Sequence, residues 1–126
     1  MITTDNNNQY WGISFHIDAR MCDGNIINSK EKLLEWAHEC VKDLEMELYR
    51  EPECIYFGNE PNKTGLSIIA LIQTSNIICH CNEFDNSAYI DIFSCKEFDI
   101  DKAQQTIVKY FSPSKTRVNL ITRDAG

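Results

Sequence analysis

The sequence has no apolar run approaching the roughly 20 residues a membrane-spanning helix needs, and its opening, MITTDNNNQY, lacks the basic-then-apolar pattern of a secretion signal. A cytoplasmic protein with no membrane partner is expected. Cationic excess is also missing: 12 Lys and Arg against 19 Asp and Glu give a formal charge of -7, which argues against a nucleic-acid surface, since such surfaces depend on Lys and Arg. A cationic or zwitterionic small molecule suits the balance better. No paired CxxC accompanies Cys22, Cys40, Cys54, Cys79, Cys81 and Cys95, so no metal site is expected. Reduced, mostly buried thiols are the default without a secretion signal. Cys79-His80-Cys81 does not alter this, because on a strand the two thiols face one way and the imidazole the other. With no linker, low-complexity segment or clear repeat, the 126 residues are expected to form one domain around one core.

What the sequence does contain is organised around residues 65–95, GLSIIALIQTSNIICHCNEFDNSAYIDIFSC. Three runs rich in β-branched and aromatic residues, each bounded by polar turn residues, predict consecutive buried strands over about 66–73, 76–82 and 88–93. Upstream, residues 1–9 are polar and expected to fray, and YWGISFHID alternates as a strand, with Trp11, Ile13, Phe15 and Ile17 on one face and Ser14 and His16 on the other. Asn28 and Glu31 have capping-box spacing. Leu33, Trp36, Ala37, Cys40, Val41, Leu44 and Leu48 then recur at helical intervals, predicting a helix over about 29–48. Residues 54–57 read as a short strand, Asp99 as the cap of a second helix carrying Ala103, Ile107 and Phe111, and 117–122 as a last strand. Strand, helix, four strands, helix, strand makes an α+β two-layer sandwich: a mostly antiparallel sheet with two helices on one face.

Polar side chains inside buried strands need a reason. Singly each has an ordinary one: Ser75 as a turn residue, His80 as a satisfied core histidine, Cys95 as a small hydrophobe. Together, Ser67, Ser75, His80 and Cys95 fall at offsets of -8, 0, +5 and +20 about Ser75, within Gly65-Leu66-Ser67, Thr74-Ser75-Asn76 and Phe93-Ser94-Cys95, with Asp91 in the strand before the cysteine. This pattern resembles the prokaryotic S-adenosylmethionine decarboxylase proenzyme family, continuously over residues 65–123 and more loosely over 11–57, where Asp18 and Cys22 agree.

The resemblance implies a self-processing enzyme. Ser75 would attack the Thr74 carbonyl, and the resulting ester would eliminate, splitting the chain between Thr74 and Ser75 and leaving residue 75 as a covalent pyruvoyl cofactor. That ketone would take the α-amine of S-adenosylmethionine as a Schiff base and accept the electrons left by CO₂. Ser67 and His80 would assist processing, and Cys95 would protonate the decarboxylated carbon. The product would feed polyamine (spermidine) synthesis, and the processed chains would pair as homodimers. Three departures stand out: Thr74 replaces the family's glutamate, Asn76 replaces its histidine, and the acid after His80 comes three residues on, at Glu83, rather than four. Glu83 is the candidate substrate-binding acid. The altered segment leaves open another amino-acid substrate, such as ornithine or arginine, and the first two changes leave open a homologue that neither processes nor catalyses.

Two geometric expectations follow. A hairpin around residues 83–87 with partner numbers summing to about 170 sets Cys95 opposite Ser75. On a straight strand Ser75 and His80 lie on opposite faces and roughly 16 Å apart, at about 3.3 Å per residue, so their meeting requires a bend between Asn76 and Cys79.

Overall fold

Strands β1 (Gly12–Arg20), β2 (Glu53–Phe57), β3 (Gly65–Ile72), β4 (Ser75–Asn82), β5 (Ser87–Ser94) and β6 (Lys115–Arg123) alternate with helices α1 (Gly24–Ile27), α2 (Lys30–Asp43) and α3 (Ile100–Phe111) in a computed structural model that describes residues 10–126. The fraying expected of residues 1–9 lies outside the described residues. The six strands form one sheet in the order β2-β3-β4-β5-β1-β6, and every pairing is antiparallel. Alternation then decides the layers: Ile13, Phe15 and Ile17 of β1, Ile68 and Ala70 of β3, Ile77 and Cys79 of β4, and Ile90 and Ile92 of β5 share the buried face. They form one core with Leu33, Trp36, Ala37 and Cys40 of α2 and Ala103, Ile107 and Phe111 of α3. This is the expected α+β sandwich. Among the described residues no helix is long and apolar enough to cross a membrane.

The helical segments depart from the sequence reading in two places. A one-turn helix, α1, precedes α2, so Asn28 ends α1 and Ser29 begins α2, its Oγ accepting from the Lys32 N–H at 3.1 Å. A free hydroxyl beside the first turn outweighs the Asn28–Glu31 spacing. Ser29→Ala is expected to cost about 1 kcal/mol, the usual worth of such a cap, read as a lower midpoint in urea. At the other end α2 stops at Asp43 instead of running to Leu48. The Glu45 N–H donates to the Lys42 carbonyl and the Met46 N–H to the Val41 carbonyl, with Glu45 left-handed at φ 56. That is a Schellman ending carried by a residue other than glycine. Leu48 is apolar because it bridges to Ile72, not because a helix continues.

The β4–β5 register also differs from expectation. Asn82 pairs with Ser87 across a four-residue loop, so partner numbers sum to 169 and Ser94, not Cys95, lies opposite Ser75. The loop is shortened by local bonds: Asp85 Oδ1 accepts from both the N–H and the hydroxyl of Ser87, and Asn86 takes a left-handed φ of 56. Trp11 is another correction: it does not share the buried face of Ile13, but is 58% exposed, with its ring 5.8 Å from Phe93.

Candidate active site

Two clusters sit on β4, one at each end. At the far end, Ser67 of β3 pairs with His80 of β4, and Ser67 Oγ lies 2.8 Å from His80 Nδ1. Ser67 is buried and His80 exposed, on the sheet face opposite the helices. A hydroxyl held against an imidazole is a proton-transfer pair. Beside it on the same face, His16 Nδ1 and Asp91 Oδ1 are 3.1 Å apart.

At the near end the chain turns from β3 to β4 through Gln73 and Thr74 alone, Ile72 pairing with Ser75. The Cys95 N–H donates to the Thr74 carbonyl oxygen at 3.1 Å. Ser75 has φ 153, whereas the other non-glycine residues with positive φ lie between 43 and 56, in the left-handed well. A side-chain-bearing residue so placed stores of order 1–3 kcal/mol of strain. The Thr74 carbonyl therefore already faces a hydrogen-bond donor, and it adjoins a strained residue.

The two clusters do not meet within one chain. β4 pairs without interruption with β3 on one side and β5 on the other, so there is no bend between Asn76 and Cys79. Five residues of straight strand hold Ser75 and His80 roughly 16 Å apart, at about 3.3 Å each. Cys95 belongs with Ser75 and Thr74, and Ser67 with His80. Glu83 belongs with neither: the Tyr56 hydroxyl donates to its Oε1, and that bond raises the Tyr56 pKa above the ordinary phenol range. Tyr56 alternates with Ile55, whose partner is Ser67, so Glu83 is held toward the face away from His80.

The cysteines sort themselves by burial. No disulfide links them, and Cys95 is the one that is partly exposed. Burial pushes the Cys22 and Cys40 thiols up to about 12 and raises Cys54, while the hydrogen bond between Cys79 and Cys81, followed by burial, raises Cys79. Thiols held this high stay protonated near neutrality and make poor nucleophiles. Cys79 and Cys81 lie 3.8 Å apart on the buried face while His80 points the other way, and among the described residues no group of three or more His, Cys, Asp or Glu is placed to hold a metal ion.

Sequence reasoning passed over two residues here. Ser94, inside the Phe93-Ser94-Cys95 motif, is 1% exposed and lies 3.0 Å from Thr74 Oγ1. Arg123 donates to Ser14 Oγ at 3.0 Å and lies 5.0 Å from the Phe93 ring centre. With Trp11, Phe93, Asp124 and Ala125 it lines an open cavity of about 420 Å³. Only the motif position of Ser94 was a usable signal, because the Arg123 contact spans more than a hundred residues.

The family model for S-adenosylmethionine decarboxylase matches residues 14–124, and the chain belongs to that family. Its fold is similar to the crystal structure of the adenosylmethionine decarboxylase from Aquifex aeolicus VF5, with a TM-score of 0.75 over 94% of this chain and 95% of that one, at 19% identity.

Proposed function

We propose that this chain is a self-processing, pyruvoyl-dependent decarboxylase of S-adenosylmethionine, cut between Thr74 and Ser75. The observation that carries the reading is the Cys95 N–H on the Thr74 carbonyl beside a strained Ser75. Ser75 Oγ bonds to the Thr74 carbonyl carbon, the carbon–nitrogen bond breaks, and the hydroxyl proton passes to the freed Ser75 amine, giving an ester. The charge that develops on the Thr74 oxygen falls on the Cys95 N–H, as in an oxyanion hole. Removal of the Ser75 α-proton then expels Thr74 as a carboxylate, and water replaces the amine nitrogen, released as ammonia, to leave a pyruvoyl group. That group supplies an electron sink for decarboxylation. Cys95, partly exposed and adjoining the new chain end, is the proton donor to product. The rings of Trp11 and Phe93 offer flat apolar surface for the purine, and the product is an aminopropyl donor for polyamine synthesis.

The separation of the two clusters supports a homodimer whose sites are shared. The sheet face away from the helices carries Ile55 and Tyr89, the strand partners of Ser67 and His80, at 43–47% exposure. Two copies packed through this face would place the His80 of each at the seam between chains, and we propose that it serves processing in the other chain. Complementation tests this. A His80→Ala chain is expected to process slowly alone and to be cut when mixed and refolded with an uncleavable Ser75→Ala chain. No rescue in a mixture shown to contain mixed dimers would confine each site to one chain.

The first measurement is the intact mass of the purified protein, denatured and reduced. Two fragments parted between Thr74 and Ser75, the second bearing a pyruvoyl terminus, are expected, together with release of CO₂ from S-adenosylmethionine. Release from ornithine or arginine alone would overturn the substrate. A single unchanging mass would overturn processing.

A further inference from the structure

We infer that Ser94 is a positioning residue for self-cleavage, holding Thr74 so that its carbonyl stays on the Cys95 N–H. The inference rests on the self-processing reading and names a part of that site which the sequence pattern leaves unassigned. Thr74 occupies a two-residue turn, where little backbone structure fixes the plane of the scissile peptide. Its hydroxyl oxygen lies 3.0 Å from Ser94 Oγ, which in turn accepts from the Lys96 N–H at 2.9 Å and lies 3.0 Å from the Lys96 carbonyl oxygen. The Ser94 hydroxyl donates to Thr74 Oγ1 and shares its proton with the Lys96 carbonyl oxygen. Two consecutive residues thus grip Thr74, Ser94 by its side chain and Cys95 by its carbonyl.

The grip is itself anchored. Ser94 is buried between Ser75 of β4 and Ile13 of β1, and the Lys96 ammonium donates to the Glu45 carbonyl at the end of α2. A glutamate at position 74 would be too long to sit where the threonine hydroxyl does. The Thr74–Ser94 pair is therefore this chain's own way of fixing the turn, and it works before the bond is cut, because only then are Thr74 and Ser75 joined.

The test is the rate of chain cleavage in freshly refolded full-length protein, followed by intact mass, for wild type, Ser94→Ala, Thr74→Val, the double variant and Ser94→Thr. Hydroxylamine, which cuts esters and spares amides, reads the ester step separately. Each single change is expected to slow ester formation on the order of tenfold or more, as small misplacements of reacting groups do. The double variant should be no slower than either single, since both remove the same contact, and Ser94→Thr should keep the wild-type rate. A merely structural role for Ser94 would leave Thr74→Val fast, and Thr74→Val carries the test alone if Ser94→Ala fails to fold. Wild-type rates in the single variants, or effects that multiply in the double, overturn this role while self-processing stands. A wild-type chain that stays whole and yields no fragment with hydroxylamine overturns both.

Discussion

Ser75→Ala is expected to give a single full-length mass at every incubation time and no release of CO₂ from S-adenosylmethionine. On the proposed mechanism the loss is complete rather than partial, because one serine would serve three ends: its hydroxyl would be the nucleophile, its oxygen the leaving group of the elimination, and its carbon skeleton the source of the pyruvoyl. No neighbouring side chain takes over, since Ser94, directly across the ladder, is already engaged with Thr74 and Lys96. The fold should be untouched: Ser75 is only half-buried, and such substitutions away from packed features stay within about 0.5 kcal/mol. Ser75→Cys keeps a nucleophile and a β-carbon leaving group, so some cleavage should survive in it. Fragments from the alanine variant, on mass analysis under denaturing conditions, would move the nucleophile elsewhere.

The second large effect is on stability, at Gly65. A methyl group there would come 2.3 Å from the Cys81 carbonyl oxygen and 3.0 Å from its carbon. Both atoms are backbone, held by β4 between two neighbours, so neither can swing aside. The glycine is needed for close approach of two chains and not for an unusual φ. Gly65→Ala should cost about 3 kcal/mol or more, the upper end for overpacking, seen as a lower urea midpoint. It should also prise Ser67 from His80, because the displaced segment lies two residues before Ser67. A destabilised Gly65→Ala that keeps the Ser67–His80 contact, read by the histidine ring's NMR shifts, would contradict that coupling.

Much of the fold was legible in the sequence because alternation and helical spacing are local. The order of strands, the apolar faces of α2 and α3 and the Asp99 cap all rest on residues close in the chain. The misreadings are local competitions that composition cannot arbitrate. Ser29 displaced Asn28 as the cap, Glu45 took a left-handed turn that glycine usually signals, and the bonds of Asp85 to Ser87 shortened the β4–β5 loop by enough to move the register one residue. That single step put Ser94 across from Ser75 and set the Cys95 N–H on the Thr74 carbonyl.

The sequence by itself determined the family and named the candidate site residues, since their types and spacings are one-dimensional facts that survive any register. Tertiary structure alone decided how they group. Strand pairing joined Ser67 to His80 and Thr74 to Ser94 and Cys95, drew Glu83 to Tyr56, and kept the two clusters at opposite ends of β4. The physical reason is that cross-strand contacts depend on loop geometry summed over several turns, where one residue more or less changes every partner, and a straight strand holds apart what the sequence sets only five residues from each other.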